Sequence, residues 1–264
     1  MLTIMTLNLA NYDDHPDWSQ RLQIIVDTIT TAQPDVIAVQ EVRFDPSQPT
    51  TQASYQSMSE QLVALLDRSA SYAGLSIVTQ PLMFYPDSSE HYPAPPPSTQ
   101  KWEGLSILSR LPIVETGAIF LTKTGSDGNL RGTQYAGVTS ASQTVYVFNT
   151  HFALDATDQL SNAQETVAYM ARFSGPQILV GDLNAVPSSP AVAVLTASGL
   201  TDVWASLEPD SNGYTWASND PSKRIDYCFA SAAASPQSIA LVATAPVDGI
   251  YASDHFGLVT FFTI

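Results

Sequence analysis

The chain has 264 residues, 44% of them apolar and only 13% charged, and 25 acidic against 10 basic side chains give a formal charge of −15. That length accommodates one large α/β sandwich over residues 1–264, and the composition supports a sizeable core. The acidity argues against a broad basic footprint for nucleic acid, against steering of polyanions and against affinity for an anionic membrane surface. A phosphate ester remains compatible, because a bound divalent cation inverts the local field.

No apolar run approaches the ~20 residues needed to span a bilayer. The start, Met1 to Leu7, has no basic region and no small-residue cleavage site. The expectation is a cytoplasmic protein without stable membrane insertion, or a secreted one if the native N-terminus begins earlier. The lone Cys228, inside Tyr227-Cys228-Phe229-Ala230, has no disulfide partner and reads as a buried hydrophobe in a strand.

In chain order, Leu2 to Leu7 reads as a buried strand. Trp18, Leu22, Ile25, Val26 and Ile29 recur at helical spacing and predict a helix over Pro16 to Gln33, stopped by Pro34. Asp35 to Glu41 is a β-branched run and a second buried strand, and a second helix is expected over Gln52 to Ser69. Pro81, Pro86, Pro93, Pro95, Pro96 and Pro97 mark a long loop from Pro81 to Gln100. Tyr85, Tyr92 and the nearby Trp102 either line a groove or pack that loop down. Strands follow at Gly104 to Leu108, Ile113 to Leu121, Gln134 to Thr139 and Val145 to Thr150, with the turn-rich Thr124 to Gly132 closing a hairpin. A helix over Asp155 to Phe173, a strand at Gln177 to Gly181 and a short helix at Ser189 to Ala197 come next. Strands at Ile225 to Ala230, Ser238 to Ala243 and Leu258 to Phe262 end the chain. This alternation suits mixed sheets with helices packed outside.

Polar residues interrupt the pattern where apolar strands end. They are Asn8, Glu41, Asn149-Thr150-His151, Asp182 with Asn184, Asp226, and Asp254-His255. Strand ends combine a rigid scaffold with free loops, and sites form there. Carboxylate and amide oxygens are hard ligands suited to Mg²⁺, Mn²⁺ or Ca²⁺. No CxxC or HExxH pattern calls for zinc. Taken singly, Asn8 reads as a turn cap, and Asp182 and Asn184 read as turn formers before the helix signal Ser188-Ser189-Pro190. His15 and His91 sit in polar or Pro-rich loops and receive no role.

Seven short motifs stand in order along the chain. They are Thr6-Leu7-Asn8, Gln40-Glu41-Val42, Leu105 to Arg110, Asn149-Thr150-His151, Gly181-Asp182-Leu183-Asn184, Arg224-Ile225-Asp226-Tyr227 and Ser253-Asp254-His255. In wording and order they resemble the endonuclease/exonuclease/phosphatase family. The resemblance implies a four-layer α/β sandwich, two mixed sheets face to face with helices on both outer faces and the site at one end.

It also implies roles. Glu41 is the principal metal ligand, with Asn8 and Asp254 near the same ion, Mg²⁺ or Mn²⁺ with Ca²⁺ as an alternative. Asp182 and Asn184 orient water and phosphate. Asp226 holds His255, His151 lies across the phosphate, and Glu103 supports His151 as in some nuclease members. Arg224 either contacts phosphate or pairs with a neighbouring acid. The expected activity is hydrolysis of a phosphodiester or phosphomonoester. The substrate class stays open among a small molecule, a phospholipid head group and nucleic acid. A catalytically silent binding module on the same fold is the alternative, disfavoured because Glu41, Asp182 and His255 are all present.

Overall fold

The computed structural model describes residues 1–47, 56–85, 99–125 and 127–264. In chain order its elements are β1 (Leu2–Asn8), α1 (Trp18–Ala32), β2 (Val36–Phe44), α2 (Met58–Leu66), β3 (Ser76–Phe84), β4 (Trp102–Ser109), β5 (Ile113–Phe120), β6 (Gly132–Ser140), β7 (Gln143–His151), α3 (Ala156–Met170), β8 (Gln177–Asp182), α4 (Pro190–Ala197), β9 (Thr201–Asp202), α5 (Val203–Leu207), β10 (Asp226–Ala230), β11 (Ser235–Val242) and β12 (Gly257–Thr263). One six-stranded sheet has the order β11-β12-β1-β2-β4-β3, the other β5-β6-β7-β8-β10-β9. Both are mixed: β1 runs parallel to β2 and β7 parallel to β8, against antiparallel neighbours.

Side-chain alternation decides the layering. Ile4, Val36 and Ala38 of the first sheet meet Val147, Ile178 and Val180 of the second in one buried cluster, the layer between the sheets. The intervening Met5, Ile37 and Val39 face outward onto Leu22, Ile25, Ile29 of α1 and Leu62, Leu66 of α2. On the other side, Phe148, Leu179 and Phe229 pack on Ala163, Tyr169 of α3 and Val192, Leu195 of α4. The result is the expected four-layer α/β sandwich. No helix among the described residues is long and apolar enough to cross a membrane.

A β-bulge in β2 matters most for the site. Val39 pairs with Ser106 but Val42 with Gly104, so β2 spends one residue more than β4, and Glu41 takes φ 54°. The extra residue flips the alternation. Val39 and Val42 both face α1 and α2, and the two residues between them, Gln40 and Glu41, are freed to turn toward the other sheet. Glu41 therefore sits inside β2, not at its end, because the strand resumes beyond the bulge to Phe44.

Other readings are refined. The strand β3 was not expected. Pro81 lies inside it, which the sheet tolerates because β3 is an edge strand with a bulge between Pro81 and Met83. The helix α2 starts at the Ser57 cap, where Ser57 and Glu60 form a reciprocal capping box. Its expected start at Gln52 lies outside the described residues, as do residues 86–98 of the Pro-rich stretch, including Tyr92 and His91. The aromatic residues described near that stretch pack down: Trp102 is buried and stacked on Phe44, and Tyr85 lies under the Arg43 guanidinium. The short β9 and α5 also went unread.

Candidate active site

The inner faces of β1, β2, β7, β8 and β10 are apolar for most of their length and polar at one common end. Register sets that end: Asn8 stands beside Gln40, His151 beside Asp182, and Asp226 opposite Asp182. Gly181, at φ 138°, precedes Asp182, and a Cβ there would overlap the Thr150 carbonyl oxygen, so only glycine lets β8 close on β7. A cleft of about 590 Å³ opens over this end, lined among others by Glu41, Arg131, His151, Asp182, Asn184, Asp254 and His255.

Asp182 is central. Its Oδ2 accepts a hydrogen bond from Asn8 Nδ2 at 3.0 Å and lies 3.5 Å from His151 Nε2 and 3.8 Å from His255 Nε2. Its Oδ1 accepts the Asn184 backbone N–H at 2.8 Å. The same Asn8 Nδ2 reaches Glu41 Oε1 at 3.1 Å, while Asn8 Oδ1 accepts the Ala10 N–H at 2.9 Å. Asn8 and Asp182 thus shape their turns and build the site at once. Asn184, at φ 49°, donates to Phe152 O at 3.0 Å, which leaves its second amide hydrogen and its carbonyl oxygen for the cleft.

His255 Nδ1 is 2.8 Å from Asp226 Oδ2. Burial works against the imidazolium, but the Asp226 and Asp182 carboxylates outweigh it and raise its pKa to about 10. Burial and the neighbouring Asp226 charge push Asp182 up to about 7. His151 is driven well below its ordinary value, first by burial and then by Arg131 and His255, so its ring is neutral. One imidazole is held charged and its neighbour uncharged, two proton states side by side.

Several participants carried no sequence signal. Arg131 Nη1 lies 2.8 Å from His151 Nε2, and Asp127 anchors the same guanidinium at 3.1 Å. An arginine at the foot of a strand, in a chain with 10 basic residues, was the available hint. Asn11 donates to Glu41 Oε2 from its backbone at 3.1 Å and from its side chain at 3.2 Å. Trp216 Nε1 donates to Asp254 Oδ2 at 3.3 Å, and His15 Nε2 is 3.7 Å from that oxygen. Arg21 is buried and gives its guanidinium N–H groups to the main-chain carbonyls of Leu9, Ala10, His15, Pro16 and Ala252, tying the loop after β1 to the loop that carries Asp254 and His255.

Two expected site residues lie elsewhere. Arg224 is buried in a two-pronged ion pair with Asp202, at 2.9 and 2.8 Å, and stacks on the Tyr227 ring. Of its two readings, the neighbouring acid is the one the structure adopts, because Asp202 matches both prongs of the guanidinium. Glu103 pairs with Arg43 Nη2 at 2.5 Å, not with His151, whose described partners are Arg131 and Asp182. Burial and the nearby Glu41 raise Glu103 to about 7.

The donor set offers two places for a cation. Asp182, Asp226 and His255 present ligand atoms within 4.8 Å of one another. Glu41 accepts only amide N–H groups and forms no ion pair among the described residues, and Asp254 shares its cleft.

Comparisons with known proteins agree with this architecture. An endonuclease/exonuclease/phosphatase family protein from Leptotrichia buccalis superposes with a TM-score of 0.78 at 19% identity, with both chains fully covered. A mannosyl-6-phosphatase from Bacteroides thetaiotaomicron gives 0.73 at 18% identity, again with full coverage of both. TDP2 from D. rerio, complexed with a single-strand DNA product, gives 0.72 at 20%, covering 100% of this chain and 99% of the other. Comparison with curated proteins gives no match. The sequence matches the Endonuclease/Exonuclease/phosphatase family over residues 5–255, and the chain belongs to that family.

Proposed function

We propose that the protein is a divalent-metal-dependent hydrolase of phosphate esters. The observation that carries this reading is Asp182 Oδ2, flanked by the imidazoles of His151 and His255 at 3.5 and 3.8 Å and linked through one amide nitrogen to Glu41. The family membership supports it, as do two similar structures, one a mannosyl-6-phosphatase and one holding a single-strand DNA product.

The residues present fit a hard cation. Glu41 is a half-buried carboxylate with no basic partner among the described residues, and its companions offer oxygen. Glu41, with Asp254 and Asn8, would hold Mg²⁺ or Mn²⁺, which supplies Lewis-acid neutralisation of the phosphate oxygens when bound. The Asp182, Asp226 and His255 cluster suits proton handling better, because Asp226 Oδ2 is already paired with His255 Nδ1 and Asp182 Oδ2 already accepts from Asn8.

The chain's own groups perform the remaining work. Asp182 orients a water and accepts its proton as the water oxygen bonds to phosphorus and the ester P–O bond breaks, its electron pair leaving with the organic oxygen, which takes a proton from solvent. His255, cationic and aimed by Asp226, donates from Nε2 to a non-bridging oxygen that gains charge. Asn184 offers its free amide hydrogen to the phosphate. Arg131, fixed by Asp127, brings positive charge on the His151 side.

The test is hydrolysis of bis-p-nitrophenyl phosphate and p-nitrophenyl phosphate with Mg²⁺, Mn²⁺, Ca²⁺ or EDTA, in the native protein and in Glu41→Ala and His255→Ala. Metal-dependent turnover that both substitutions abolish is expected. Absence of turnover with every metal would overturn the proposal and leave a silent binding module.

A further inference from the structure

We infer that the cleft selects phosphate esters whose organic group presents an apolar, uncharged face, and that Leu154 and Val186 select it. This rests on the phosphate-ester reading and adds the substrate class.

Leu154 is 62% exposed and Val186 38% exposed, two of the six large hydrophobic side chains left exposed among the described residues, and both line the cleft. They are not the slack of loose loops. The Leu154 N–H donates to Asp127 Oδ2 at 2.9 Å. The Leu154 carbonyl accepts from Gln159 Nε2 at 3.2 Å, and the same Nε2 donates to the Asn184 carbonyl at 2.9 Å. One glutamine thus ties the loop after β7 to the loop after β8. Beyond it, the Ala185 carbonyl accepts from Tyr227 OH at 2.7 Å and the Val186 carbonyl from the Ser189 N–H at 2.9 Å. The backbone holds both apolar side chains out to water. Ala156, Ala185 and Ile225 line the cleft with them, and Trp216 adds an aromatic surface. An apolar surface so fixed gains from being covered.

Charge points the same way. The lining includes Arg131, Lys223 and His255, against Glu41, Asp182 and Asp254. Arg131 is already held by Asp127 and His151, and Lys223 lies 4.9 Å above the Trp216 ring. One phosphate finds its counter-charge here, whereas a polyanion needs a row of basic contacts. A cleft of about 590 Å³ holds a phosphate and an alkyl or aryl group of moderate size.

Calorimetric titration with methyl-, butyl- and phenylphosphonate in Mg²⁺ tests this, alongside 4-carboxybutylphosphonate as a charged-end member. Turnover of bis-p-nitrophenyl phosphate is measured in parallel. The Kd is expected to fall about tenfold or more from methyl to butyl or phenyl, and the carboxylate-ended chain to lose that gain. The double substitution Leu154→Ser with Val186→Ser is expected to flatten the series, with Tm checked to confirm folding. A flat series in the native protein, or a steep one in the variant, overturns the wall assignment even if turnover is present. A steep series without turnover upholds the wall and removes the hydrolase reading, and neither binding nor turnover removes both.

Discussion

The layer between the two sheets has two ends built by the same strands under the same alternation, and they differ in chemistry. Along the inner face of β1 the sequence runs Ile4, Thr6, Asn8; along β2, Val36, Ala38, Gln40. Along β7 it runs Val147, Asn149, His151, along β8 Ile178, Val180, Asp182, and back along β10 Ala230, Cys228, Asp226. Every strand passes from apolar to polar in the same direction. Between the two regimes lies a layer of uncharged amides. Gln40 Nε2 donates to Asn149 Oδ1 at 2.7 Å, and Asn149 Nδ2 donates to the carbonyls of Val39 and Ser106 at 2.9 and 3.0 Å. These bonds bridge the sheets and separate the dry core from the charged floor. One end therefore stabilises the fold through packing, and the other accepts the cost of buried charge to hold carboxylates and imidazoles in place.

Substitutions at the two ends should separate activity from stability. At the charged end, Asp182→Ala or His255→Ala is expected to lower kcat/KM on a phosphodiester by ~10²–10⁴-fold. Steady-state kinetics at saturating Mg²⁺ would decide it, and a loss below tenfold would break the comparison. At the dry end, Ile4→Ala is expected to cost about 2–5 kcal/mol of stability through the cavity it leaves. Its kcat/KM per folded molecule should stay within about twofold, measured by urea unfolding and by assay well below the midpoint.

The amide layer should behave as an intermediate. Asn149→Ala removes a donor pair from two buried carbonyls and the acceptor of Gln40, whose Oε1 already has no described partner. The expected loss is about 1–3 kcal/mol, with a fall in activity through the repositioned Glu41, and a change in only one of the two readouts would argue against coupling.

The smallest effect lies at the support of the cleft wall. Burial pulls the Asp158 carboxyl upward, but hydrogen bonds from Thr124 and Gly125 outweigh it and hold the group below its usual range. A depressed folded-state pKa gives stability that is present above the ordinary carboxylate value and lost as pH falls through the lowered one. Asp158→Asn should cost about 1 kcal/mol at neutral pH and progressively less as the pH is taken below ~4. A difference independent of pH would sink the assignment.

Much of the site was readable because its residues break a pattern. Asn8, Asp182, Asp226 and His255 are polar where apolar strands end, and the strands themselves follow from β-branched runs. Arg131, Asn11 and Arg21 break no local pattern. Each acts through a partner at least twenty residues away or through main-chain carbonyls, and such partners are invisible in the local pattern of a loop or of a helix such as α1. Arg224 was left open and Glu103 misplaced for the converse reason. An ionisable residue beside a motif looks functional until a partner such as Asp202 or Arg43, remote in sequence, is seen to occupy it.

By itself, the sequence determined most of the strands and helices and which polar groups stand where strands end, because hydrophobic periodicity and turn chemistry are local properties; the four layers were implied by the resemblance of its motifs to the family. Tertiary structure alone decided that Glu41 points inward, since that follows from a bulge counted against β4. It also decided that one imidazole is charged and its neighbour neutral, and that Leu154 and Val186 line the same cleft. Those outcomes depend on register, burial and distances between residues far apart in the chain, and these exist only once the sheets have closed on each other.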